Sequence, residues 1–127
     1  MKRKLICVLL AVGLLMPTLA AAADQEDFMV DSTDDIVNLC TTPIDDPMYT
    51  AAIHFCHGYL VGAYAYYDAL ASGPEGVRLV CFSDPVPSRN EIIGMYIDWA
   101  KTHPEHMNEA PVDSLFMFLT EKWPCSE

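Results

Sequence analysis

Basic residues are scarce beyond the first few positions of this chain. After Ala23 only Arg78, Arg89, Lys101 and Lys122 remain against all 18 acidic residues, a net charge of −14. Nucleic acid and anionic lipid are poor partners for such a surface, because counterion release needs Lys and Arg. A basic protein surface is a natural partner, with solubility alone as the competing reading of the charge. Chemistry-bearing motifs are missing as well. There is no Gly-rich phosphate loop, no G-x-S-x-G, no H-E-x-x-H and no C-x-x-C pair. The carboxylates are scattered over helix starts and outer faces, so no glycosidase pair can be drawn. No internal repeat, low-complexity tract or β-hairpin stands out. The chain therefore reads as non-enzymatic, with no catalytic set, no cofactor and no metal.

What the chain does carry begins with a leader. Lys2, Arg3 and Lys4 precede an apolar run from Leu5 to Met16; Pro17 breaks the run, and Ala20 to Ala23 offer small cleavage positions. This is the pattern of a secretory signal peptide over residues 1–23, with an uncleaved anchor as the competing reading. The run is shorter than the roughly 20 residues that a spanning helix needs. Residues 24–127 are then one small domain, exported to the periplasm without membrane insertion. Four cysteines fall in it: Cys40, Cys56, Cys81 and Cys125. An even number in a small exported domain points to two disulfides.

The stretch from Asp46 to Gly73 organises that domain. Asp46 is suited to capping a helix, Pro47 to its first position, and Gly73 to a left-handed residue beyond its end. Met48, Ala52, Phe55, Tyr59, Gly62, Ala63, Tyr66 and Leu70 follow 3.6-residue spacing and predict the core stripe. Ile53, Leu60, Val61 and Tyr64 lie towards the other side, so the helix is central or meets a partner. Gly58, Gly62, Ala65 and Ala69 predict close approach of another helix of the same fold. Self-association is the alternative, with Val61 and Tyr64 as the dimer contacts.

Shorter helices are predicted on either side. Asp24 to Val30 reads as a mobile acidic lead-in. Asp31 or Ser32 caps a helix carrying Ile36, Val37, Leu39 and Cys40, and Pro43 stops it. Residues 71–87 are irregular, with two glycines, three prolines and Cys81 as a staple. A short extended strand through Val77, Leu79, Val80 and Phe82 is the alternative there. Ser88 to Glu91 is a capping box that opens a helix carrying Ile92, Ile93, Tyr96, Trp99 and Ala100. Pro111 opens the fourth helix, with Val112, Leu115, Phe116 and Leu119 inward. The fold class is thus all-α, a small four-helix, disulfide-stapled domain. If the last two helices are antiparallel, Cys81 and Cys125 share an end. That favours Cys81–Cys125 with Cys40–Cys56; Cys40–Cys125 with Cys56–Cys81 stays open.

Two His-x-x-His pairs, His54 with His57 and His103 with His106, are the residues a metal would want. Zinc normally takes three or four ligands, and the second pair straddles Pro104, so surface or partner-contact histidines are the stronger reading. Cys56 stands beside two histidines, but cysteines of an exported chain more often pair. Tyr59 and Tyr66 fall on the core stripe; Tyr64 and Tyr67 stand off its centre, where packing competes with an interface role.

One combination goes further. A helix ending in Cys40 is followed by Phe55-Cys56-His57-Gly58-Tyr59 with Gly62, and then by Cys81. Next come a capped helix with Trp99, His103-Pro104, and the terminal Trp123-Pro124-Cys125. This resembles the Rap/Tai family of immunity proteins over nearly all of residues 24–127. The chain departs from that pattern after Cys81, where Phe82-Ser83-Asp84 precede Pro85. The resemblance implies an exported helical protein that binds a peptidoglycan amidase effector of type VI secretion. It would occlude the amidase cleft, with a homodimer as one form of the protein. Expected contacts are the 72–89 loop with Glu75, Arg78, Asp84 and Arg89, and the 103–109 turn with Glu105 and Glu109. The alternatives are a periplasmic envelope, stress or scaffold protein without a toxin partner, and a His-based metal binder.

Overall fold

The computed structural model describes residues 23–126, which form four α-helices and two short 3-10 turns. The leader reading of residues 1–23 lies outside the described residues, save for Ala23, which is buried. No strand occurs among the described residues; an isolated antiparallel bridge joins Val80 to Pro124. No helix among them is long and apolar enough to cross a membrane.

Local sequence accounts for most helix boundaries. Helix α1 spans Thr33–Cys40. Ser32 Oγ accepts the Asp35 N–H (3.3 Å), and the Asp35 carboxylate accepts the Ser32 N–H (2.9 Å). Helix α2 spans Tyr49–Ala71, 23 residues and about 35 Å. It starts two residues past Pro47, because the Asp46 carboxylate accepts the Met48 N–H (2.7 Å) in a turn ahead of the helix. It ends without a left-handed glycine: Gly73 is not in that region, and among the described residues only Val30 has a positive φ, 56°. Helix α3 spans Arg89–Thr102 and opens with the Ser88–Glu91 capping box. Helix α4 spans Pro111–Lys122 with proline in its first turn.

Two disulfides close the domain, Cys40–Cys56 and Cys81–Cys125. The first joins the end of α1 to α2, and it decides which face of α2 turns inward. Cys56 is fully buried, so Ala52 and Leu60, one turn away on either side, are buried with it. The stripe predicted through Phe55, Tyr66 and Leu70 is therefore rotated out, and Tyr66 is 70% exposed. The small-residue stripe is corrected too. Among the described residues no helix approaches it, since a Cβ added at Gly58 or Gly62 would meet none of their atoms within 4 Å.

The core gathers Ile36 and Leu39 of α1, Tyr96 of α3, and Leu115, Phe118 and Leu119 of α4 around that α2 face. A buried hydroxyl network runs through it. Tyr96 Oη lies 2.8 Å from Ser114 Oγ, Thr33 Oγ1 lies 2.7 Å from the same oxygen, and Ser114 donates to the Pro111 carbonyl (3.2 Å). Seating Ser114 inward turns α4 so that Phe118 is buried and Val112, predicted inward, is 41% exposed. The lead-in is ordered, contrary to its composition. Residues Asp27–Met29 form a 3-10 turn. Asp27 is buried and accepts from the Asp24 N–H (2.7 Å) and Asn38 Nδ2 (3.2 Å). Phe28 packs edge-on against Phe55, ring centroids 5.4 Å apart.

Candidate partner-binding surface

Between α2 and α3 the chain has no regular structure over residues 72–88, yet it is fastened at several points. Gly76 folds back over the end of α2. A Cβ there would collide with the Ala71 and Leu70 carbonyl oxygens, so only glycine fits. The Tyr67 hydroxyl accepts the N–H groups of both Leu79 (2.7 Å) and Val80 (3.0 Å). Cys81 is bonded to Cys125, its N–H donates to the Trp123 carbonyl (2.9 Å), and Phe82 packs on Trp123 at 4.9 Å. The extended alternative thus reduces to a bridge between Val80 and Pro124. The fastened loop displays apolar side chains to solvent: Val77 is 70% and Val86 62% exposed.

The predicted contact residues divide between the two ends of α3, a 14-residue helix about 21 Å long. Arg89 is the first residue of α3, and Glu75, Arg78 and Asp84 lie in the loop that leads to it; all four are exposed. Arg78 is engaged within the chain: it pairs with Asp68 at 2.9 Å and donates to Ser72 Oγ at 3.0 Å. The hydrogen bond to Asp68 holds its guanidinium protonated to higher pH than usual. Glu105 and Glu109 stand at the other end, in the turn after α3. There Glu109 presents its carbonyl to the Thr33 N–H (2.8 Å), tying the turn to α1. Asp31, Asp34, Asp35 and Asp113 belong to the helix starts α1 and α4 at this end, where a positive helix terminus favours carboxylates. The two predicted contact sets thus lie before and after α3, and no ion pair joins them among the described residues.

Around the histidine pairs, no three His, Cys, Asp or Glu side chains converge among the described residues. Instead Trp99 is stacked with both histidines of the second pair. Its centroid lies 4.4 Å from that of His103 and 5.5 Å from that of His106, and its Nε1 donates to Glu121 (3.0 Å). The i, i+4 spacing of Trp99 and His103 carried that signal in the sequence. His106 Nδ1 lies 3.1 Å from Glu109 Oε1, a contact that is an ion pair when the imidazole is protonated.

Val61 and Tyr64, the predicted dimer contacts, are half-buried and line a cavity of about 260 Å³ together with Arg89. At 100° per residue, Val61 borders the exposed face of α2, whereas Tyr64 points towards the loop and packs on Phe82 (5.6 Å). Burial first, and then the charge of Asp68, raises the Tyr64 phenol above its ordinary value of 10.0, with Arg78 opposing.

No curated protein and no solved structure matches the chain. The family model of the Rap1a immunity proteins matches residues 32–125, from the Ser32 cap of α1 to Cys125 of the second disulfide. By that match, the chain belongs to the Rap1a immunity proteins.

Proposed function

We propose that this protein is a non-enzymatic periplasmic immunity protein that binds and inhibits a peptidoglycan amidase effector of type VI secretion. Family membership supports a protein partner of the effector kind. The amidase target follows the Rap/Tai resemblance of the Cys56-His57-Gly58-Tyr59 segment and the terminal Trp123-Pro124-Cys125. The observation that carries the contact surface is the 72–88 loop. It exposes Val77, Leu79 and Val86 while Gly76, Tyr67 and the Cys81–Cys125 bridge fasten its backbone. A pre-ordered apolar loop loses little freedom on binding. Glu75, Asp84 and Arg89 would add polar contacts around it, with Glu105 and Glu109 as a second, acidic contact on the far end of α3. Disulfides of this kind persist in an oxidising compartment, which fits the periplasm.

A homodimer belongs to the same proposal. Its support is the face of α2 left open among the described residues, where Gly58, Gly62, Ala65, Tyr66 and Ala69 are exposed, with Val61 along its border. The test is co-purification of the protein with peptidoglycan amidase effectors from the same genome. Replacing Val77 and Leu79 by Asp should abolish capture of the cognate effector, while Glu105→Gln with Glu109→Gln should weaken it less. Failure of every amidase to bind would refute the amidase assignment.

A further inference from the structure

The cavity against α2 has a chemistry that the immunity reading does not use. Leu60, Val61, Phe82, Ile92, Ile93 and Leu119 make an apolar wall around about 260 Å³. The Tyr96 hydroxyl, whose ring also lines the space, is taken up by Ser114 at 2.8 Å. Arg89 is the one charged residue in the lining, and it is exposed. Among the described residues it makes no ion pair and no side-chain hydrogen bond, although acidic residues outnumber basic ones more than fourfold after Ala23. An apolar chamber with a single free guanidinium is complementary to a molecule with an apolar body and one anionic end.

Volume sets the size of that body. A dry cavity of about 150 Å³ holds benzene, so this one holds roughly 8–10 carbon atoms. An aromatic side chain of a protein partner would fill it too but brings no anionic end to Arg89, and a two-chain lipid is far too large. We propose that the cavity is a binding site for a free medium-chain fatty carboxylate, its alkyl chain against Leu60, Ile92 and Leu119 and its carboxylate on Arg89. A carboxylate suits the planar guanidinium, which pairs with it through two parallel N–H donors. The cavity shares Val86 and Arg89 with the proposed effector-facing loop, so its occupancy is read on the protein without an effector.

Isothermal titration of the purified protein with decanoate, below its micelle concentration, tests the proposal, with 1-decanol as the neutral comparison. The wild type should bind one decanoate saturably. Arg89→Gln, at an exposed position, should weaken decanoate about tenfold and leave decanol unchanged. Ile92→Trp, which fills the chamber, should abolish both, its fold being checked by circular dichroism. Absence of saturable decanoate binding to the wild type would overturn the proposal. So would equal decanoate affinity in wild type and Arg89→Gln.

Discussion

Single residues fasten this small domain at places where no alternative side chain fits. Gly76 is the clearest. Its missing Cβ lets the loop lie against the Leu70 and Ala71 carbonyls that end α2. Gly76→Ala should lower stability by about 1–3 kcal/mol, as overpacking does, and loosen the loop ahead of the core. A urea titration measures the first effect and amide exchange at Leu79 and Val80 the second. Ser114 is the counterpart in the core. Ser114→Ala would leave the buried Tyr96 hydroxyl and Thr33 without their shared partner, which costs about 1–3 kcal/mol in the same titration. Tyr96 also gives a pH signature. Burial raises its phenol above 10.0, opposed by the hydrogen bonds of Ser114 and Thr33 and aided by Tyr59. The folded state therefore holds this proton more tightly than the unfolded chain does. Its contribution to stability is complete below pH 10 and is lost as pH rises through the folded value. Tyr96→Phe should flatten the alkaline fall of the urea midpoint; an unaltered slope would contradict the assignment.

At the scale of elements, helix starts other than that of α2 were legible and helix faces less so. The Ser32–Asp35 and Ser88–Glu91 boxes and Pro111 act within one turn, so the residues that decide them are adjacent in sequence. The face of α2 was not legible, because α2 is apolar on most sides and its rotation is set by a bond from Cys56 to Cys40 in another helix. The contact of Thr33 with Ser114, 81 positions apart, leaves no local trace either. In the candidate site, the sequence showed a long stapled loop and its cysteine, but the fastening by Tyr67 is a long-range choice that an aromatic count does not reveal. That loop depends on the second bridge. Replacing Cys81 and Cys125 together by Ser should lower stability by about 2–4 kcal/mol, read as a drop in Tm. It should also raise exchange at Leu79 and Val80 more than in α1. Equal protection of the loop in both forms would show that Tyr67 and Gly76 hold it unaided.

At the largest scale, the described residues form a four-helix body with two unlike ends. One end carries a fastened apolar loop with Arg78 and Arg89. The other gathers carboxylates at helix starts beside a tryptophan stacked on two histidines. Membership in the Rap1a immunity proteins makes such a body a binder of an effector. The most direct measurement of the account is hydrolysis of purified peptidoglycan by a cognate amidase effector, titrated with this protein. Stoichiometric loss of amidase activity is predicted for the wild type, with activity retained when Val77 and Leu79 are both Asp. Undiminished hydrolysis at saturating wild-type protein, or inhibition unaffected by the double substitution, would contradict it.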